Sequence, residues 1–559
     1  MSNTTISQPV AYRGVSMTPE QRKVVFAASL GTAFEWYDFL LFASLSPIIA
    51  AKFFAALPSD LAFIFALLAY SAAYALRPLG AIVLGRLGDI VGRKFTFLIS
   101  VSLMGAATFL VGILPDYNTW GLAAPIALLT LRMVQGLSLG GEFGGAATYV
   151  AEHAPEGRRA YFTSWINCTA AIGFVLSLIA VIGVRSIMGE AAFGDWGWRL
   201  PFIFSLALLV VSVWIRLSLS ESPVFLELKR QGKTSKSPLI ESFGNLRNIR
   251  LALAGMFGVI AGSAVLSTMG LIYPLLFLSQ TLKVAPLTTN VLAGLAILVS
   301  LPLFPFSGWL ADRFGRKPVI IVSCLIGAVS YFPVVKALTH FANPAYEQAL
   351  ASAPVTVVAD PAQCSFMFNP TGTAKYLSSC DIAHGALARA GVNYTNVDAP
   401  AGTEAYVKVN EVRVDGFSGF ELAPAQLKAR TDEFNKRLIG AVRGAGYPEK
   451  ADPAQTNLAM TWLLMLYMAA LAAMSYAPVS AVMVELFPAR IRYTAMSVPY
   501  HLANGWVAGF LIPAVFALVA ASGNIYFGLW YPVAWAILGA VVTLFFVPET
   551  KNTDFRNWH

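Results

Sequence analysis

Charge is scarce in the apolar parts of this chain, so the few ionisable residues inside long hydrophobic runs are where its chemistry must be sought. Glu35 and Asp38 stand three positions apart, with Trp36 and Tyr37 between them, a spacing that puts both carboxylates on one helix face. Two carboxylates desolvated at close range do not both ionise, so at least one is expected to carry a proton near neutral pH. Proton coupling requires that behaviour, and Asp38 is its first candidate. The competing reading, strongest for Glu35, is a fixed salt bridge to a basic residue on another helix.

A later run carries Arg132 and Glu142, with Gln135 between them and glycines at 136, 140, 141, 144 and 145. The glycines let a neighbouring helix approach closely. A guanidinium does not deprotonate in practice, so Arg132 either biases a nearby carboxylate or holds an anionic substrate. Glu142 is a second proton carrier, or else a structural partner. Arg77 precedes Pro78, and the bend that Pro implies would turn this guanidinium inward. Arg77 and Arg132 together would then suit a carboxylate through bidentate hydrogen bonds, unless Arg77 is bridged to Asp38 or Glu35. Tyr37, Asn167, Tyr273 beside Pro274, His501 and Asn504 are the remaining polar groups read as lining a binding cavity, although a lone membrane histidine is more often a packing residue.

The elements that hold these residues follow from composition. Of 559 residues, 57% are hydrophobic and 12% charged, against roughly 45–50% and 25% in soluble domains, so the solvent for most of the chain is a bilayer. Apolar runs of about 20 residues fall at 24–50, 61–85, 95–115, 121–151, 161–184, 200–220, 251–280, 289–311, 319–341, 456–486, 494–521 and 526–547. Residues 1–20 are polar and the first apolar run is too long for a cleavable signal. Lys and Arg concentrate in the N-terminus, in the loops after even-numbered spans and in the C-terminus, whereas the short loops opposite hold Lys52, Arg185, Arg199 and Lys283. Both termini are therefore expected in the cytoplasm. The net charge of +9 sits mostly in those loops and needs no nucleic-acid partner.

Two loops repeat. GRLGDIVGRK at 85–94 returns as GWLADRFGRK at 308–317, and AEHAPEGRR at 151–159 is echoed by VELFPARIR at 484–492. Asp89 and Glu152 are 63 positions apart, whereas Asp312 and Glu485 are 173 apart, so the second copy holds an insertion. It is the polar stretch 342–455, expected outside the membrane as a small α/β domain. The runs at 355–360 and 405–414 read as strands, and 424–442 reads as an amphipathic helix with Leu427, Phe434, Leu438 and Val442 on one side. Cys364 and Cys380 lie in this segment and, in an oxidising compartment, are expected to form a disulfide, with two free thiols as the alternative. Cys168 and Cys324 lie in apolar runs and read as packing residues.

With the duplicated G-x-L-[AG]-D-x-x-G-R-K loops in place, the chain resembles the major facilitator superfamily, and more narrowly its metabolite:proton symporter group of bacterial carriers for 2-oxoglutarate, citrate, shikimate, proline and betaine. The resemblance also rests on GTAFEWYDFLLF (31–42), ALRPLGAIVLGRLGDIVGRK (75–94), LRMVQGLSLGGEFGGAATYVAEHAPEGRR (131–159), WGWRLPF (196–202), PYHLANGW (499–506) and VPETK (547–551). It implies an all-α membrane protein of twelve transmembrane helices in two six-helix bundles, with substrate bound between them near the bilayer midplane. The bundles would comprise 24–220 and 251–341 with 456–547, the central loop 221–250 and the tails 1–23 and 548–559 lying in the cytoplasm and 342–455 outside. By the same resemblance Arg132 takes part in proton transfer. Asp89, Arg93, Lys94 and Glu152, with Asp312, Arg316, Lys317 and Glu485, form a cytoplasmic gate that latches the bundles.

The function expected is a proton-coupled importer of a small organic acid in a bacterial inner membrane, using protons as coupling ion and no cofactor, with a monomer sufficient as the working unit. Import of a zwitterionic osmolyte such as proline or betaine is the alternative, and a sensor built on the outer domain is the rival from another class. Five scattered histidines offer no metal-ligand spacing and no phosphate-binding loop is present, so an enzyme is not expected.

Overall fold

The computed structural model describes residues 18–55, 59–218, 220–367 and 376–553; Glu35 falls in a helix there, but its side chain lies outside the described residues. Eleven helical segments among them are long and apolar enough to cross a bilayer, and Ser59–Ile90 is a further helix of 32 residues. Val329, Trp214 and Phe545 are examples of large apolar side chains left pointing outward, the pattern of helices whose solvent is hydrocarbon.

In the N-terminal half, Ser59–Ile90 packs along Ala123–His153, Pro19–Phe53 along Arg159–Ala192, and Arg93–Ile113 between Ala123–His153 and Arg199–Leu217. In the C-terminal half, Leu458–Tyr476 packs against Ala261–Leu271 and Arg316–Ala342, which also contacts Trp530–Phe546. The halves meet where Ser59–Ile90 lies on Arg492–Leu502 and where Leu303–Phe314 lies on Arg159–Ala192. The helix that begins at Arg492 relaxes into a π-helical turn at Ala503–Ala508, an irregularity that often marks functional positions.

The two repeated loops fold alike. Ser59–Ile90 ends, Gly92 takes φ 135°, and a new helix starts at Arg93; Leu303–Phe314 ends, Gly315 takes φ 108°, and a new helix starts at Arg316. Only glycine adopts such a φ without strain, which accounts for the Gly of each D-x-x-G-R-K.

Between Arg316–Ala342 and Leu458–Tyr476 stands a four-stranded sheet in the order β2-β1-β3-β4, formed by β1 (Val355–Ala359), β2 (Thr395–Asp398), β3 (Tyr406–Val409) and β4 (Val412–Asp415). β1 pairs with β2 in parallel and with β3 antiparallel. The run 405–414, read as one strand, is a hairpin instead. Val409 pairs with Val412 and Asn410 turns the chain with φ 50°, a conformation Asn tolerates better than most residues. Helices Ser379–Ala390 and Pro424–Gly444 accompany the sheet, the latter burying Phe434, Leu438 and Val442. A disulfide joins Cys364 to Cys380, while Cys168 and Cys324 are free and buried.

This domain is fastened to the C-terminal half at several points. Tyr394 N–H donates to the Gly523 carbonyl (2.7 Å), its hydroxyl donates to the Ala520 carbonyl, and Asn393 Oδ1 accepts from Ile525 N–H (2.8 Å). On the loop between helices Leu246–Thr281 and Pro286–Phe314, Lys283 Nζ donates to the Arg389 carbonyl (3.1 Å) and its own carbonyl accepts from Ala451 N–H (3.1 Å).

Candidate functional site

Asp38 lies fully inside the N-terminal half, 1% exposed. Its Oδ2 accepts from Arg132 Nη1 at 3.1 Å and its Oδ1 from Gln135 Nε2 at 3.0 Å. Gln135 Oε1 accepts from Arg132 (2.7 Å), and Gln135 Nε2 donates also to Thr108 Oγ1 (2.9 Å). The Arg132 guanidinium lies over the Phe42 ring, 4.1 Å from its centroid. Arg132 and Gln135 are one helical turn apart, so a single face of Ala123–His153 supplies both. Such a network stabilises the buried charges only while every member is satisfied. The expected clamp of Arg77 and Arg132 is therefore not the arrangement found, because Arg132 is engaged by Asp38. The bridge from Arg77 to Asp38 is replaced by the same pair.

Glu142, ten positions further along that helix, pairs with Arg216 at 3.2 Å, both groups being buried. Arg216 also lies on the Phe97 ring at 3.6 Å. Sequence reading missed Arg216 because it stands at the end of an apolar run, where a cation ordinarily reaches the interface. The available signal was its position inside WIRLSL, still within helix Arg199–Leu217.

A second cluster forms at the seam between the halves. Phe143 stacks on Tyr500 with centroids 3.9 Å apart. The Tyr500 hydroxyl meets that of Tyr476 at 2.5 Å, and Tyr476 donates to Asn504 Oδ1 at 3.1 Å. Asn167 reaches across from the N-terminal half to the Tyr476 carbonyl at 3.1 Å. His501, 1% exposed, lies beside the Arg77 guanidinium and the backbone at Gly140, and Arg77 covers the Tyr74 ring at 4.2 Å. Arg77, Asn167, His501 and Asn504 thus come together, and Tyr476, Phe143 and Tyr74 join them unannounced.

Two further residues read as cavity-lining contact other partners. Tyr37 packs inside the N-terminal half with its hydroxyl donating to the Pro201 carbonyl at 2.7 Å, because a buried phenol needs a partner and finds one in its own half. Tyr273 stacks on Phe277 of its own helix at 5.5 Å.

At one end of the seam the repeated loops interlock. Asp89 accepts from the backbone N–H of Tyr493 (3.3 Å) and Thr494 (2.9 Å), in the first turn of helix Arg492–Leu502. Asp312 accepts from Ala160 (3.1 Å) and Tyr161 (2.8 Å), in the first turn of helix Arg159–Ala192. Each aspartate of one half therefore caps a helix of the other, where unpaired N–H groups and the helix dipole favour an anion. Arg93 and Arg316 flank these aspartates at 3.3 and 3.0 Å.

The glutamates exchange partners across the same seam: Arg492 with Glu152 at 3.1 Å, and Arg159 with Glu485 at 3.5 Å, Arg316 joining Glu485 at 3.1 Å. Ser222 donates to Glu152 and Thr550 to Glu485 (2.6 Å). Glu221 accepts from the backbone of Arg93 and Lys94 just as Glu549 accepts from that of Arg316 and Lys317. The Lys94 amine bonds to the Leu217 carbonyl within its own half, so Lys94 braces its half without crossing the seam. Glu221 and Ser222 were missed, although E-S at 221–222 mirrors E-T at 549–550.

In the inserted domain, Cys364, Cys380 and His384 bring potential donor atoms within 4.8 Å of one another, but the two sulfurs are spent on each other. His384 Nε2 faces Asn396 Oδ1 at 2.9 Å, and burial holds this imidazole below its ordinary value.

The Major Facilitator Superfamily profile matches residues 28–354, and the profile for sugar (and other) transporters matches 439–559. The chain is 34% identical over 335 residues to the proline/betaine transporter of Escherichia coli K12, a match covering 58% of this chain and 66% of that protein, so it spans just under two thirds of that relative's length. It is 35% identical over 329 residues to the shikimate transporter of the same organism, covering 57% of this chain and 72% of that one. Among solved structures, the proton:xylose symporter XylE bound to 6-bromo-6-deoxy-D-glucose superposes with a TM-score of 0.62 at 17% identity, over 96% of this chain and 98% of the other; at that identity the likeness concerns the fold.

Proposed function

The chain belongs to the major facilitator superfamily, and on that premise we propose that it is a proton-coupled importer of a small solute bearing a carboxylate, working by alternating access in a bacterial inner membrane. The observation that carries this reading is the buried Asp38–Arg132–Gln135 network. An ionised Asp38 holds Arg132; a protonated Asp38 lets it go, since a neutral carboxyl offers a guanidinium only a weak partner. Protonation from outside and substrate binding are then linked. The released Arg132 inside the N-terminal half and Arg77 beside His501 at the seam then supply positive charge, and a substrate carboxylate restores neutrality before the halves rock. Glu142 with Arg216 is a second proton-carrying pair in the same half.

Proline, betaine and shikimate, the solutes named for the relatives, share one feature, a carboxylate. That common group, and not the rest of the molecule, is what the arginines address. A zwitterion is the second reading, favoured by the stacked Phe143 and Tyr500 rings, whose faces suit an ammonium group.

The topology that goes with this function has twelve spans, Ser59–Ile90 being the second, in bundles 24–220 and 251–341 with 456–547. The tails 1–23 and 548–559, the loop 221–250 and the latched end of the seam lie in the cytoplasm, and 342–455 lies outside. The gate residues Asp89, Arg93, Glu152, Asp312, Arg316 and Glu485 are then closed toward the cytoplasm. The working unit is a monomer without cofactor.

The test is uptake of labelled shikimate, proline and betaine by proteoliposomes under an inward proton gradient. Accumulation of one of these that collapses with a protonophore is the expected result. No gradient-dependent accumulation across a panel of carboxylate solutes, with the protein shown to be folded, overturns the reading.

A further inference from the structure

The two latches bond alike but are packed differently. Ala160 and Ala311 meet in a small apolar cluster on one side. Their counterparts on the other side, by alignment of the repeated loops, are Tyr493 and Gly88. The Tyr493 ring fills a socket made by glycines: a methyl group at Gly88 would overlap the ring, and one at Gly145 would strike its hydroxyl. The hydroxyl donates to the carbonyl of Gly141, the residue that precedes Glu142 in the chain. The backbone N–H of the same Tyr493 donates to Asp89. One residue therefore touches the latch with its backbone and the flank of the Glu142–Arg216 pair with its side chain. The charged groups facing it are Asp89 and Arg93 from the latch and Glu142 and Arg216 from the interior.

We propose that Tyr493 is a positioning residue that transmits the protonation state of Glu142 to the cytoplasmic latch. While Glu142 is ionised and held by Arg216, the helix turn at Gly141 is fixed and its carbonyl anchors the Tyr493 hydroxyl, keeping the first turn of helix Arg492–Leu502 on Asp89. When Glu142 takes a proton, Arg216 is released, the turn relaxes, the hydroxyl loses its acceptor geometry and the latch loosens. The Ala160–Ala311 side has no such side chain and responds only by following. The inference rests on the proton-coupled reading, but its test does not depend on transport.

Hydrogen exchange of the amides of residues 492–502 in the purified full-length protein, corrected for intrinsic rates, is measured between pH 5 and 8. In the wild type, protection falls on acidification, roughly fivefold, the worth of one buried hydrogen bond. Glu142→Gln is expected to show the low protection at every pH. Tyr493→Phe keeps the ring in its socket and is expected to lose the pH dependence. Gly88→Ala alone should expel the ring and unlatch the helix, while Gly88→Ala with Tyr493→Ala recreates the pairing of the other side and restores latching without pH response. A wild type whose protection ignores pH, or a Tyr493→Phe protein that keeps the wild-type profile while Glu142→Gln loses it, overturns the proposal. Uptake by the same preparation in proteoliposomes reports on the transport reading separately.

Discussion

The halves of this molecule share a latch and differ in their interiors. Away from the latch, the N-terminal half buries Asp38, Arg77, Arg132, Glu142 and Arg216, whereas among the described residues the C-terminal half buries one titratable nitrogen base there, His501, amid tyrosines and an asparagine. The repeated loops share one arrangement, in which each copy holds the other. The interiors carry different buried side chains. Buried charge is thereby concentrated in one half, and ring and amide contacts in the other.

That division can be broken most directly at Asp38. Asp38→Asn keeps the side chain's size but leaves Arg132 without its counter-charge, and removing one partner of a buried pair costs about 3–5 kcal/mol. Gradient-driven accumulation is expected to fall by roughly 10²-fold or more, while solute exchange at equal concentrations across the membrane survives. An Asp38→Asn carrier that accumulates solute with unchanged proton dependence would show the division to be false.

The shared latch is expected to give intermediate effects of equal size in both copies. Glu152→Gln and Glu485→Gln each weaken one ion pair between the halves, an effect of about 1–2 kcal/mol and so roughly tenfold in uptake rate; a large inequality would mean that the copies no longer share the work. Tyr500→Phe removes the hydroxyl contact with Tyr476 but not the stack on Phe143. A few-fold rise in KM with an unchanged pH profile is expected, and a shifted profile would place proton chemistry in the C-terminal half as well.

The smallest effect on transport belongs to the inserted domain. Cys364→Ser opens the disulfide loop, which in the chain-entropy model lowers domain stability by about 3 kcal/mol and should change uptake less than twofold. Acid acts in the same direction there. The folded form holds His384 below the ordinary imidazole value, so near and below about pH 6.5 the unfolded form binds more protons and stability falls as pH falls. A His384→Gln domain should melt with less dependence on pH over that range.

Sequence alone made the large features legible because a spanning helix needs little more than length and apolarity, and because a repeated ten-residue loop is visible without any contact. The candidate carboxylates were equally visible, since a charge in hydrocarbon is conspicuous. Partner choice was not. Asp38 and Arg132 are 94 positions apart, and nothing local says which of several arginines an aspartate will meet. Arg216 was hidden by its place at a helix end. In the inserted domain β2 went unread because its four residues are all exposed and carry no alternation, and the β3–β4 hairpin reads as one strand because its two-residue turn interrupts the apolar pattern so briefly.

The anchoring of residues 393–396, 389 and 451 to a helix end and loops of the C-terminal half has a practical side. A carrier of two similar bundles presents an almost twofold, smooth particle inside a detergent micelle, which is hard to orient by single-particle imaging. Here a folded insertion is bolted to one bundle, breaking that near-symmetry. An antibody fragment raised against it would act as a pointer fixed to the C-terminal bundle, and its angle to the micelle would read out whether one half rocks against the other.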